Sequence, residues 1–155
     1  MIRYARKEDA PRIHALIKDL AVYEKAADEA TATIEQIEET IFGEKPHAFC
    51  HVAEVDGEVV GISIWFLNYS TWLGKPGIYL EDLYVDPAHR GKGLGLALLK
   101  ELGAICIERG YERLQWWVLD WNEPSIEFYK SLGAVPMDEW TVYRVTGEAL
   151  KKLGS

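Results

Sequence analysis

The chain is poor in cysteine. Its two, Cys50 and Cys106 in 155 residues, are too few for a disulfide framework and match no metal-ligand spacing. A reducing compartment follows, so the expected location is cytoplasmic. No run of about 18 apolar residues could cross a bilayer, and Met1-Ile2-Arg3-Tyr4-Ala5-Arg6 has no apolar signal region, so no membrane partner is expected. Positive charge is also scarce. Seventeen Lys and Arg stand against 25 Asp and Glu, and the formal charge of −8 opposes a nucleic-acid partner and favours a cationic one. Repeats, Pro/Ser-rich linkers and low-complexity stretches are missing, which points to a single domain over residues 1–155. A chain 48% hydrophobic and 27% charged is neither disordered nor fibrous.

What is there reads as alternating strands and helices. Ile2 to Ala5 predicts a short strand. From about Asp9, Ile13, Leu16, Ile17, Leu20 and Ala21 follow the helical period, and Thr33 with Gln36 forms a capping box opening a helix that stops near Gly43. Two apolar runs, Cys50 to Val55 and Val59 to Phe66, flank Asp56-Gly57, a strong hairpin signal. Gly77 to Val85 predicts the next strand, ended by Asp86-Pro87. Leu94, Ala97, Leu98, Leu102 and Ile105 then form a helical stripe running to Gly110, and Arg113 to Leu119 reads as a strand. Asn122 N-caps a helix that Gly133 terminates, and Trp140 to Val145 predicts a last strand before a short helix. The expected fold is of the α/β (α+β) class, a mixed sheet flanked by helices on both faces.

The stretch from Tyr79 to Leu96 runs from a strand through a glycine-rich turn into a helix. Glycines let the backbone approach a ligand closely, and free N–H groups at a helix start bind phosphate oxygens. Arg90 and Lys92 add positive charge at that end. A Walker A loop is absent, and Gly-x-Gly-x-x-Gly fails, because counting from Gly91 lands on Leu96 and from Gly93 on Leu98. The plain alternative is a glycine-rich connection without a ligand.

Arg-x-x-Gly-x-Gly at Arg90, Gly93 and Gly95 does fit, and resembles the acyl-CoA pyrophosphate motif of the GNAT acyltransferase superfamily. Leu20 to Lys25, Tyr79-Leu80-Glu81-Asp82 and Asp120 to Ser125 further resemble the diamine acetyltransferases, meaning the spermidine/spermine and thialysine N-acetyltransferases. The resemblance covers about Ile2 to Leu153. It implies a GNAT fold, acetyl-CoA as co-substrate with no metal, a small cationic amine as acceptor, and a homodimer. It places the cofactor against Leu83, Tyr84 and Val85, the turn Arg90, Gly91, Lys92, Gly93, Leu94, Gly95 and Leu96, and the helix start Asn122, Glu123, Pro124 and Ser125. Tyr129 becomes the proton donor to the departing thiolate. Glu81 binds the amine and, through water, helps remove its proton, while Tyr23, Glu24 and Asp82 are further substrate contacts. Asp138 and Glu139 lie in a turn that is shorter than the corresponding segment of the family.

Adjacent acids on a regular strand point to opposite faces, so only one of Glu81 and Asp82 is expected to face a given site, within a buried setting set by Leu80 and Leu83. Tyr129, at helical spacing from Ser125 and Leu132, has a core position as its plain alternative. His47 and His51 are four apart but not on a helix, so a metal pair is not expected, and Cys106 reads as a small core hydrophobe. Two other functions fit the same motifs: a non-catalytic acyl-CoA sensor, and a protein or peptide N-acetyltransferase. Segments such as Ser70-Thr71-Trp72 look closer to the thialysine branch, and Glu123-Pro124-Ser125-Ile126 to the polyamine branch.

Overall fold

The computed structural model describes all of residues 1–155. Its regular elements are β1 (Ile2–Tyr4), α1 (Ala10–Tyr23), α2 (Ile34–Phe42), β2 (Phe49–Val55), β3 (Glu58–Ser70), β4 (Lys75–Val85), α3 (Leu94–Arg109), β5 (Leu114–Trp116), α4 (Glu123–Ser131) and α5 (Gly147–Leu153). The chain divides into two compact units, residues 1–117 and 118–155.

In the first unit, five strands form one sheet in the order β1-β2-β3-β4-β5. Neighbours are antiparallel except β4 and β5, which are parallel, so the sheet is mixed as expected. Local chemistry explains the joints. Asp56 (φ 51°) and Gly57 (φ 80°) both adopt the left-handed conformation that a tight two-residue hairpin needs. Thr33 Oγ1 accepts the Gln36 N–H at 3.1 Å while Gln36 Oε1 accepts the Thr33 N–H at 2.9 Å, closing the capping box at the start of α2.

The α1 stripe, Ala10, Ile13, Leu16 and Leu20, packs with Ile37 of α2 on Cys50, Val52, Ile62, Ile64 and Tyr84. Those sheet residues share one face by the two-residue period. On the other face α3 buries Leu98, Leu99, Leu102, Ile105 and Cys106, and Cys106 is the small core residue expected. Here α3 brings Glu101 to 3.9 Å from His51 and Arg109 to 5.9 Å from the Trp65 ring.

In the second unit, α4 follows Asn122 and ends at Leu132, with Gly133 (φ 87°) donating its N–H to Lys130. Asn122 is the N-cap by position, but its side chain does not cap the helix. The strand expected at Trp140 to Val145 is absent, and the run is irregular from Asp138 to Thr146. Alternating apolar residues favour a strand only when a ladder partner completes it, and this run joins no sheet. The strand expected over Arg113 to Leu119 is likewise shorter, stopping at Trp116.

Candidate active site

The glycine turn is anchored before it opens. Asp86, just past β4, accepts the Ala88 N–H at 3.0 Å and the Arg12 Nη2 of α1 at 3.0 Å, while Arg12 Nε donates to the Val59 carbonyl at 2.8 Å. Beyond it, Gly91 (φ 81°) and Gly93 (φ 75°) hold conformations that side chains resist. The first helical bond of α3 runs from the Ala97 N–H to the Gly93 carbonyl at 2.9 Å. That leaves the N–H groups of Leu94, Gly95 and Leu96 without a helical acceptor, at the positive end of a 16-residue helix. Gly95 needs no unusual φ, and a Cβ there would meet nothing within 4 Å, so the fold itself does not demand a glycine. An open, bare, N–H-lined helix start fits a pyrophosphate.

Arg90 is placed differently from its expected role as extra positive charge for a phosphate. Its Nε donates to the Val85 carbonyl at 3.1 Å, and its guanidinium lies 5.8 Å from the Tyr23 ring centre and 5.5 Å from that of Tyr84. It ties the turn to the end of α1. Lys92 Nζ lies 3.2 Å from His89 Nδ1 on the exposed rim.

Next to the turn, the sheet opens. Pairing of β4 with β5 runs from Ile78 to Leu80 and stops at the Leu80–Trp116 pair. The Asp86 N–H donates to the Val60 carbonyl at 2.8 Å, and Tyr84 pairs with Ile62. By alternation the Leu83 and Val85 N–H groups point away from β3, toward the unpaired edge. That is the stretch expected to supply an oxyanion donor.

The acids depart from the expectation. Opposite β3, Ile64 pairs with Asp82 and Trp65 with Leu80, so Glu81 is an extra residue, a β-bulge. Counted from Leu80, which pairs with Trp65, regular alternation puts Asp82 on the α3 face. The bulge turns it to the face of Ile62, Ile64 and Tyr84, beneath α1, and leaves Glu81 exposed rather than buried. Glu81 acts on Glu24, the residue capping α1, and Glu24 acts in turn on Asp82. Partial burial, then Glu81, holds the Glu24 carboxyl above its usual range. Burial first, then Glu81 and Glu24, pushes Asp82 up to about 7. Tyr79 is raised to about 12 by burial and Glu81, and burial raises the Cys50 thiol, with Asp9 and Asp82 adding to it. Residue types and spacing showed the acids, but the bulge that groups them left no mark in the sequence.

In the second unit, Ser125 and Tyr129 are half-buried one turn apart on α4, and Asn122 is buried at its start. Glu123 and Pro124 form the exposed first turn, and Asp138 and Glu139 are exposed in the irregular run. His51 is a core residue. Its Nδ1 accepts the Trp65 indole N–H at 3.1 Å, and burial lowers its pKa to about 4, whereas His47 is exposed.

A mixed sheet opens beside a strand, glycine turn and helix start whose free N–H groups suit a phosphate, with three acids on and near the same strand. The sequence comparison agrees: residues 10–134 match the Acetyltransferase (GNAT) family, and the chain belongs to that family. It is 40% identical to thialysine N-epsilon-acetyltransferase of Bos taurus, over 99% of this chain and 96% of that one. It is 35% identical to spermidine/spermine N(1)-acetyltransferase-like protein 1 of Homo sapiens, over 96% of this chain and 23% of that one. Among solved structures, an integron cassette protein from the mobile metagenome of V. cholerae superposes with a TM-score of 0.84 at 28% identity, covering 99% of this chain and 96% of that one. The chain is an N-acetyltransferase acting on amines. No helix is long and apolar enough to cross a membrane.

Proposed function

We propose that the enzyme transfers an acetyl group from acetyl-CoA to a primary amine of a small cation, by direct attack with both substrates bound. The acceptor is a thialysine- or lysine-like amino acid or a diamine or polyamine. The carrying observation is the trio Glu24, Glu81 and Asp82, mutually repelling carboxyls beside the strand that leads into the glycine turn. An amine reaches the protein as an ammonium ion, and three acids that raise one another's proton affinity are a place for it. The names of the bovine and human relatives support this class of acceptor.

Bound there, acetyl-CoA supplies an acetyl group already activated as a thioester. Its pyrophosphate would rest on the Gly91–Leu96 turn, with Leu83, Tyr84, Val85, and Asn122 to Ser125 holding the remainder. The N–H groups of Leu83 and Val85 are fixed donors for an oxygen on which negative charge develops. Glu81, exposed on its bulge, meets the ammonium and through water starts its proton away, and Tyr129 gives a proton to the leaving sulfur. The protein's own thiols support direct attack, since Cys50 and Cys106 are buried and burial raises both. The proposal includes a cytoplasmic homodimer. Exposed Trp140, Val142, Tyr143 and Val145, in a run that joins no sheet, support self-association, and light scattering checks it.

The test is CoA release from acetyl-CoA with thialysine, lysine, putrescine, spermidine, spermine and a basic peptide. Saturable turnover on one amine class, lost in Tyr129→Phe and cut about 10²-fold or more in Glu81→Gln, is expected. Tight acetyl-CoA binding without turnover on any acceptor would overturn the proposal in favour of a sensor, and a preference for the peptide would point to protein acetylation.

A further inference from the structure

The bulge leaves one carboxyl with no structural use. Asp82 faces the α1 side of the sheet, paired with Ile64 and half-buried beneath the helix that carries Glu24. The groups acting on it are Glu81 from its own strand and Glu24 from α1, both acids. From β2 it faces Cys50, whose thiol it raises further. A half-buried carboxyl kept among carboxyls costs stability, and the register that puts it there comes from an inserted residue, so packing does not account for it.

We propose that Asp82, rather than Glu81, is the group that takes and holds the proton given up by the acceptor's ammonium ion, while Glu81 and Glu24 hold the cation at the rim. This rests on the acetyltransferase reading above and adds to it where the proton goes. In the step, one N–H bond of the ammonium breaks and its electron pair stays on nitrogen. An O–H bond forms on the Asp82 carboxyl, so a positive and a negative charge disappear together. Burial favours that outcome, because a neutral amine beside a neutral acid needs less solvation than an ion pair in the same place. Glu81, in water on the bulge, has no such bias. Its exposure suits it to meet the cation first. The free site holds Asp82 near half-protonation at neutral pH, and an arriving cation draws that proton off and leaves the carboxylate able to accept the amine's own.

Titration calorimetry of thialysine and of putrescine into the protein without acetyl-CoA, in buffers of different ionisation enthalpy, reads the protons released on binding. About one proton per amine is expected at pH 6, falling to nearly none by pH 8.5. Asp82→Asn abolishes the release at pH 6, whereas Glu81→Gln weakens binding but keeps the release. As a second readout that needs no variant to fold, the Asp82 carboxyl carbon, followed by NMR in the unsubstituted protein, titrates near neutrality and moves to lower pH when amine is added. Amine binding and turnover with a proton release unchanged by Asp82→Asn, or lost instead in Glu81→Gln, overturns the assignment and leaves the enzyme reading standing. Failure of every amine to bind or turn over overturns both.

Discussion

His51 and Asp82 are titratable groups set into opposite faces of the same sheet, and burial drives both toward neutrality. His51 is lowered to about 4 and Asp82 raised to about 7. The difference lies in what meets the neutral form. The neutral imidazole accepts the Trp65 N–H at 3.1 Å, under a helix and beside Tyr4, and packs into the core, although its Nε2 has no hydrogen-bond partner and lies 3.9 Å from Glu101. Asp82 meets two further acids, one residue from a bulge and three from the end of β4. Burial alone therefore does not distinguish a site from a core. What sets Asp82 apart is the pair of carboxyls acting on it and the strand edge that opens beyond Leu80.

The sharpest way to break this contrast is to remove each group. Asp82→Asn should lower kcat/KM about 10²-fold or more, the range for a lost proton acceptor, whereas His51→Leu should leave kcat within about threefold. Steady-state kinetics on the preferred amine decides it, and equal losses in both would erase the distinction. The same His51→Leu protein should be less stable by roughly 1 to 3 kcal/mol in denaturant titration, because the buried Trp65 N–H loses its acceptor.

Stability against pH should separate the two faces by sign. The folded-state pKa of His51 lies below the ordinary 6.5, so its contribution is present above that value and lost as pH falls toward about 4. Asp82 lies above the ordinary 3.8, so its contribution is present below that value and lost as pH rises through about 7. Thermal unfolding across pH 4 to 8 should therefore show His51→Leu flattening the acid side, and Asp82→Asn gaining most at pH 8, by about 1 kcal/mol once water access to the carboxyl is allowed for. The smallest effect is expected at Arg90. Arg90→Gln removes the link from the turn to Tyr23 and Tyr84, and should raise the KM for acetyl-CoA and for amine together, each about fivefold, with kcat nearly kept. A rise confined to acetyl-CoA would show that Arg90 serves the phosphate alone.

Much of the frame was legible because its signals are local. Asp56-Gly57, the Thr33 and Gln36 cap, the α1 and α3 stripes and the glycines at 91 and 93 each act over a few residues, and each stands where the sequence put it. The site was legible in its residue types: the acids lie on β4, the glycine turn opens α3, and Tyr129 follows Ser125 on α4. Facing was not. Strict alternation separates Glu81 from Asp82, and only the pairing of Ile64 with Asp82 and Trp65 with Leu80 shows the extra residue. Arg90 reads as a phosphate cation from its motif, yet its guanidinium lies against two rings that are 67 and 6 residues away in the chain. Trp140 to Val145 carries a strand pattern without a strand.

The sequence by itself determined the order of elements through α4, the mixed sheet, the glycine turn that opens α3 and the acetyltransferase family, because periodicity, turn conformations and motif spacing are properties of neighbouring residues. Tertiary structure alone decided which face Asp82 takes, where β4 parts from β5, what Arg90 stacks on and how far each buried group is shifted. A strand's facing belongs to its ladder, and a carboxyl's proton affinity belongs to the charges and the water that folding places around it.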